Sequence, residues 1–505
     1  MTIRLDTSTP VAVIGAGSMG GGIAQVAAQA GHAVRLYDAQ PGSAAKAVER
    51  IAADLAQAVQ KGRFTEAQRE ETLARLTVAA SVDDLRGCGL AVEAIIEKLE
   101  PKQSLFRELE RVLAPDAVLA TNTSSISVTA VAQGLQHPQR LVGWHFFNPA
   151  TRMKLVEIIR GLETDPALVP ALQALSKAWG KTSVVAPNAP GFIVNRVARP
   201  FYAEGLRLLG ERIAPLHAID ALLREAGGFS LGPFELIDLI GVEVNLSVTE
   251  SVWAATQYDN RYAPNLIQQE LVRAGHFGRK NGRGFYDYRD GAAKPALVTV
   301  EPAAAQPSLV VAAEPGLLAP LVERLRGAGV PTTVDPELPS ETLKLGGVRL
   351  ALTDGRTAAE REAETGPLLL LDLARDYATA TLLGATASPR AREALPSLAA
   401  LLQAANTRLL ALDDIAGLVV MRIVCGLANE AADVMAWAGT RAADIDTAMR
   451  LGTAYPLGPV EWADALGASR VVRVLEHLHA HYGEARYRRS PRLLRAHFTG
   501  EPLHA

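Results

Sequence analysis

The chain has only two cysteines, Cys88 and Cys425. A disulfide framework is therefore excluded, and no Cys/His cluster has the spacing of a zinc site. Neither sign of charge dominates: 51 Lys and Arg stand against 54 Asp and Glu, a net charge of −3. The basic excess that marks nucleic-acid binders is missing. Long hydrophobic runs are missing too. The most apolar long stretch, 415–439, is broken by Arg422, Glu430 and Asp433, which predicts a buried helix and no membrane span. The opening MTIRLDTSTPVAVIGAG has no basic segment followed by an apolar signal core, so a cytoplasmic, reducing location is expected. What remains is 505 residues, 49% hydrophobic and 21% charged. At roughly 150 residues per domain this is material for about three packed domains.

The most informative stretch begins at Val11. Val11-Ala12-Val13-Ile14 reads as a buried parallel strand and runs into Gly15-Ala16-Gly17-Ser18-Met19-Gly20, a G-x-G-x-x-G turn, then a helix of small residues. Gly15 permits a tight turn, Gly17 lets backbone approach a pyrophosphate, and Gly20 lets helix and strand pack closely. The helix N-terminus offers unpaired N–H groups to the phosphates. A second strand, 33–37, ends at Asp38, eighteen residues after Gly20. A carboxylate there can bond both ribose hydroxyls and repels a 2′-phosphate, which favours NAD over NADP. FAD shares the fingerprint, so the choice between the two cofactors needs other residues.

Helical periodicity covers 41–76, with a turn near Lys61-Gly62-Arg63. Strand-like segments follow at 90–94, 117–120 and 141–147, the first two separated by a helix at 101–113. This alternation predicts a parallel, doubly wound sheet with its ligand at the strands' carboxyl ends. Three polar clusters fall there: Glu97 with Lys102, the run Thr121-Asn122-Thr123-Ser124-Ser125, and His145 in GWHFFNP. After Asn148-Pro149 turns the chain, MKLVEII reads as an apolar strand interrupted by Glu157. An acid in such a run is costly unless paired, and a returning strand brings it to His145. A carboxylate on one imidazole nitrogen fixes the tautomer and raises basicity, as alcohol oxidation beside a nicotinamide requires. Ser124 and Asn195 in PGFIVNR are candidates to bond the reacting oxygen. Each has a plainer alternative: a structural ion pair for the histidine and acid, a helix cap for Ser124, a solvated helix residue for Asn195.

In order, GAGSMG, VEAIIE, TNTSS, GWHFFNP, MKLVEII, PGFIVNR, LGPFELIDLIG and GRKNGRGFYDY resemble the L-3-hydroxyacyl-CoA dehydrogenase family, from about residue 8 to 290. The resemblance implies a Rossmann-type NAD-binding domain at 1–190, with a CoA-side helical arm near 41–76, and a helical domain at 191–290. It implies oxidation of a 3-hydroxyacyl-CoA by NAD, as in fatty-acid β-oxidation, with a His145–Glu157 dyad and with Ser124 and Asn195 orienting the acyl oxygens. It also implies cofactor contacts at Gly15, Gly17, Ser18, Met19, Gly20, Asp38, Glu97, Lys102, Asn148 and Lys280, and substrate contacts at Lys61, Ser124 and Asn148. No metal is implied. Two other readings are a free hydroxy-acid or polyol dehydrogenase and an NAD-binding scaffold without turnover; the complete Ser124, His145, Glu157, Asn195 set argues against the second.

The chain continues past 290, and the continuation repeats. Gly191, Arg196, Glu204, Asp220, Gly232, Glu235, Asp238 and Gly241 recur 226 residues later as Gly417, Arg422, Glu430, Asp446, Gly458, Glu461, Asp464 and Gly467. This is a duplicated helical domain, 411–505. Before it come a linker at 291–307 and a degenerate α/β segment at 308–410 without a glycine fingerprint. Carried by the same spacing, His145 falls on Leu371, Glu157 on Leu383 and Asn195 on Met421, which predicts one active site per chain. An intact dehydrogenase followed by a degenerate copy resembles the branch of the family used in bacterial aerobic phenylacetate catabolism, an impression that LIQQELV and HLHAHYGEARYR strengthen. That implies 3-hydroxyadipyl-CoA, with 3-hydroxybutyryl-CoA as the alternative. Arg152, Arg196 and Arg199 are candidates for the distal carboxylate, each with a surface or interdomain role as the plainer reading. The internal copy is expected to act as a pseudo-dimer partner, with further homodimerisation open.

Overall fold

The computed structural model describes residues 5–293, 295–304 and 308–505; part of the expected linker at 291–307 thus lies outside the described residues. The chain divides into two compact units, 1–196 with 443–453, and 197–442 with 454–505.

The first unit holds an eight-stranded sheet. Its strands are β1 (Val11–Ile14), β2 (Val34–Tyr37), β3 (Leu76–Val78), β4 (Leu90–Glu93), β5 (Val118–Thr121), β6 (Leu141–Phe146), β7 (Leu155–Ile159) and β8 (Thr182–Ala186), in the order β3-β2-β1-β4-β5-β6-β7-β8. The first six follow the order of dinucleotide-binding sheets and are parallel. Crossover helices α1 (Ser18–Gln29), α2 (Ser43–Gln60), α3 (Glu66–Ala74) and α4 (Leu99–Val112) link the early strands. Strands β1, β4, β5 and β6 are buried along their whole length, which is why they read as apolar runs. The edge strands β3 and β8 have no such signature: both are partly exposed, and β3 is three residues long.

Only β7 runs against its neighbour among the pairings on that side. The turn after β6 returns the chain as β7, antiparallel, with His145 opposite Glu157 in the ladder. Side chains alternate along β6. Trp144 and Phe146 enter an aromatic core with Trp179, where the Trp144 indole donates to Ser176 Oγ at 3.1 Å. His145 points the other way, against Phe147 and Phe192. A helix from the distant repeat, Ala442–Thr453, belongs to this unit. Its Gly452 sits so close that a Cβ would come within 3.0 Å of Leu155 and Val194.

The second unit contains most of both helical repeats and a mixed seven-stranded sheet. The strands are β9 (Leu309–Ala312), β10 (Thr332–Asp335), β11 (Thr342–Leu345), β12 (Val348–Leu352), β13 (Leu368–Leu371), β14 (Leu382–Ala387) and β15 (Arg408–Ala411). The last three keep the pattern of β6 to β8, antiparallel then parallel. The ladder places Ala385 opposite Leu371. This corrects the counterpart of Glu157 from Leu383 to Ala385: the connection between the two strands has gained two residues, so the spacing of 226 fails there. No acid occupies either position.

The repeats share side chain–backbone ties. Glu235 accepts from the Gly232 N–H at 3.0 Å and Glu461 from Gly458 at 2.8 Å, each closing the first turn of a helix. Asp238 holds the N–H groups of Phe285 and Tyr286, as Asp464 holds those of Leu503 and His504. The apolar stretch 415–439 forms the helix Val420–Ala438, and no helix among the described residues is long and apolar enough to cross a membrane.

Helix Arg199–Gly210 packs on Val420–Ala438, with Pro200 against the bare Cα of Gly426. Arg422, its side chain wholly buried, donates to Glu204 at 2.7 Å and to Glu211 at 2.8 Å and lies over the Tyr482 ring. Burial would raise Glu204, but Arg207 and Arg422 outweigh it and hold its carboxyl below the ordinary range. Removing Arg422 takes one of two cations from the buried Glu204 and empties the space of a wholly enclosed side chain. Arg422→Ala should therefore cost about 3–5 kcal/mol in urea unfolding of the whole chain; a change below about 1 kcal/mol would show that the pair is not what joins these helices.

Candidate active site

The glycine turn fits a dinucleotide. Gly15 has φ +103°, and a Cβ on it would lie 2.4 Å from the Ala94 carbonyl oxygen. A Cβ on Gly20 would strike the Gly15 oxygen at 1.7 Å, whereas at Gly17 nothing lies within 4 Å. The turn is thus closed on the protein side and open where a pyrophosphate would meet the first N–H groups of α1. Asp38, at the end of β2, accepts the Ala16 N–H at 2.7 Å and that of Gln40 at 2.8 Å, which fixes its carboxylate beside the turn. Ser18 Oγ reaches Asn148 Oδ1 at 3.4 Å, and Met19 packs against the core beneath.

At the carboxyl ends of β4 and β5 lies a network of acids around one cation. Lys102, 1% exposed, donates to Glu93 at 2.6 Å and meets Glu97 at 3.1 Å. Glu93 also accepts from Thr121 Oγ1 and the Ile95 N–H. Glu97 in turn accepts from Thr123 Oγ1 at 2.6 Å and from the N–H groups of Ser124 and Ser125 at 2.8 and 3.1 Å. Burial pushes Glu97 up, but the Lys102 ammonium and these hydrogen bonds outweigh it and hold the carboxyl below its usual range. Sequence reasoning chose Glu97 from VEAIIE and passed over Glu93. The signal for Glu93 was present: an acid ending a wholly buried strand, the pattern that singled out Glu157.

The His145–Glu157 pair is also enclosed. His145 Nδ1 lies 2.8 Å from Glu157 Oε2, with the two residues 6% and 1% exposed. The ring is held between Phe147 and Phe192, at centroid separations of 4.5 and 5.9 Å. With Nδ1 committed to the carboxylate, Nε2 is the atom left for a reacting proton. The other Glu157 oxygen accepts the N–H groups of Ile193 and Val194, both at 3.0 Å. Those amides open the short helix Val194–Val197 that carries Asn195, which is half-buried. Asn122 ties the serine-rich loop to β6 by accepting the Phe146 N–H at 2.8 Å.

Lys61 is exposed where α2 ends, and Arg152 is exposed in the turn after Asn148. Lys280 belongs to the second unit and is ion-paired with Glu243. In that unit Arg199 is buried, bonded to Thr249 Oγ1 at 2.8 Å and stacked on the Tyr202 ring. Among the described residues no cluster of three or more His, Cys, Asp or Glu side chains is placed to hold a metal ion.

The model of the 3-hydroxyacyl-CoA dehydrogenase NAD-binding domain matches 10–189, and that of the C-terminal domain matches twice, at 191–288 and 417–502. A reduced Rossmann-fold domain described for 3-hydroxybutyryl-CoA dehydrogenase matches 350–415. The chain is similar to a 3-hydroxyadipyl-CoA dehydrogenase of Escherichia coli K12, with 41% identity over 97% of this chain and 96% of the relative. It is 38% identical to a probable 3-hydroxybutyryl-CoA dehydrogenase of Bacillus subtilis, which covers 55% of this chain and 97% of the relative. A crystal structure of an Escherichia coli K12 3-hydroxybutyryl-CoA dehydrogenase superposes with TM-score 0.89 at 38% identity, covering 98% of this chain and 99% of that one. With the glycine turn, the enclosed histidine–acid pair and matches along nearly its whole length, the chain belongs to the 3-hydroxyacyl-CoA dehydrogenase family.

Proposed function

We propose that this protein oxidises the hydroxyl of an L-3-hydroxyacyl-CoA to the ketone, with His145 as the base. The buried His145–Glu157 contact carries the reading. Glu157 keeps the proton on Nδ1, so Nε2 is free to take the hydroxyl proton. As the ring becomes imidazolium, the carboxylate 2.8 Å away stabilises the new charge. Ser124 and Asn195 orient the reacting oxygen, Ser124 being held by Glu97 and Lys102 acting through Glu97. NAD, when bound on the glycine turn, supplies the hydride acceptor. In the reverse direction protonated His145 returns its proton to the ketone oxygen.

The substrate we favour is 3-hydroxyadipyl-CoA, because a relative named for it matches both halves of the chain. Arg152, Arg196 and Arg199 are the candidates for its distal carboxylate. The second reading is 3-hydroxybutyryl-CoA, favoured by the name of the crystal structure that superposes over the full chain. Five segments make up the proposed plan: the NAD-binding domain at 1–190, the first helical domain at 191–290, a linker at 291–307, the degenerate segment at 308–410 and the second helical copy at 411–505. The copy stands in for a partner subunit, a role supported by the packing of Arg199–Gly210 on Val420–Ala438, which are counterparts under the repeat. We place the enzyme in the cytoplasm, in phenylacetate catabolism.

His145→Ala should lower kcat by about 10²- to 10⁴-fold, the usual contribution of a positioned base, and turnover like that of the wild type would remove it from the reaction. Steady-state kinetics with both thioesters should give a kcat/KM at least about tenfold higher for the adipyl substrate, the worth of one well-made polar contact; equal values would favour the butyryl reading. Cut at 290, the protein should lose its fold or self-associate in light scattering, because the exposed helix faces lack their internal partner. A folded, active monomer would overturn the pseudo-dimer.

A further inference from the structure

The duplication provides an internal control for what Glu157 does. In the first copy its Oε1 accepts the N–H groups of Ile193 and Val194. In the second copy the buried Asp372 accepts those of Val419 and Val420, at 3.0 and 2.8 Å, and that of Met421 at 3.1 Å. Positions 419 and 420 are 193 and 194 carried forward by 226. The backbone before them is also repeated. Gly191 and Phe192 have φ 75° and 49°, and Gly417 and Leu418 have φ 80° and 53°. A bulky residue at positive φ is uncommon and persists only where its surroundings over-determine it. Here two successive left-handed residues aim two amides at one carboxylate, in a nest-like turn.

In the second copy the imidazole is gone, with Leu371 in its place and Ala385 across the ladder. The carboxylate that receives the amides is nonetheless kept, supplied from the end of β13, the strand corresponding to that of His145. The turn therefore requires an acid whether or not there is chemistry. Only in the first copy does that acid sit on the neighbouring strand, where its second oxygen meets the histidine. We infer that Glu157 has two separable duties, one oxygen orienting His145 and the other holding the turn that presents Asn195, so that it is a positioning residue for substrate as well as for the base. The inference rests on the proposed roles of His145 and Asn195.

Glutamine and alanine at position 157 separate the duties. In Glu157→Gln the amide oxygen still accepts from Ile193 and Val194, while its NH2 faces Nδ1 and forces the tautomer in which Nε2 carries the proton. With 3-hydroxyadipyl-CoA, kcat should fall about 10²-fold or more while KM stays within about twofold. Glu157→Ala should show a similar fall in kcat and a KM raised about five- to tenfold, the worth of one misplaced hydrogen bond. Hydrogen exchange across 190–196 should quicken in Glu157→Ala and stay at the wild-type rate in Glu157→Gln. Asp372→Ala should quicken exchange across 416–422 with kcat and KM unchanged.

Equal KM values and equal exchange in the two Glu157 variants would overturn the inference. Fast exchange of the Ile193 and Val194 amides in the wild-type protein would overturn it too, and that measurement needs no variant to fold. A His145→Ala enzyme of normal kcat would count against the base reading alone, leaving the exchange results to stand or fall by themselves.

Discussion

A carboxylate buried in an apolar strand is the constraint around which the first unit is organised. Glu157 is 1% exposed in a five-residue strand whose other members are Leu155, Val156, Ile158 and Ile159. Such a charge is tolerated only when nearly every lone pair is engaged. Three partners meet that demand: the imidazole of His145 and the amides of Ile193 and Val194. Each imposes a requirement on the chain. The imidazole requires β7 to return antiparallel beside β6 in one register, since a slip of one residue would turn either side chain to the opposite face. The amides require the strand-to-helix connection to pass through a left-handed turn at Gly191 and Phe192. That turn lays the Phe192 ring against His145, so one acid also fixes the packing of the imidazole.

The second acidic centre solves its burial problem differently. Glu93 and Glu97 share a single enclosed lysine, and hydroxyl and backbone donors take up the remaining lone pairs. Here the cation lies behind and the acid faces the loop, so Glu97 stays charged while its oxygen gathers three consecutive residues, Thr123 to Ser125. Ser124 is therefore presented by a rigid ionic support, not by a flexible loop. The two centres meet the same cost by different means, one with an imidazole and two backbone amides, the other with a lysine and hydroxyl donors.

How much of this was legible in the sequence depends on the local signal at each element. Strands buried on both faces, such as 11–14 and 118–121, announce themselves as apolar runs, and the glycine turn gives its own spacing. His145 and Glu157 were legible as a pair because the acid interrupts a hydrophobic strand and the Asn-Pro turn implies a return. Strands β3 and β8 were not: half-exposed edges have neither alternation nor an apolar run to mark them. Glu93 was masked by Glu97 four residues later in the same motif. The Asp372 contact was beyond reach, because its function is carried by backbone amides 47 to 49 residues away, and amides leave no trace in side-chain identity. A fixed spacing of 226 found the helical repeat but misplaced the counterpart of Glu157, since a spacing read from helices cannot register two residues added between strands.

Retention of a copy stripped of chemistry follows from what its helices cover. An arginine with a wholly buried side chain at 422 and a bare backbone at Gly426 against Pro200 are features of an interior, not of a surface. Helix Arg199–Gly210, left without that neighbour, would expose an apolar face and strand the acid Glu204 without Arg422. Because that neighbour belongs to the same chain, the packing is intramolecular and independent of protein concentration. The same copy also sends helix Ala442–Thr453 to the NAD-binding unit, where Gly452 supports Leu155 on one side of Glu157 and Val194 beside Asn195. The second half has no counterpart of His145, Glu157 or Asn195, yet it keeps Asp372, Arg422, Glu461 and Asp464, which hold its turns and helices.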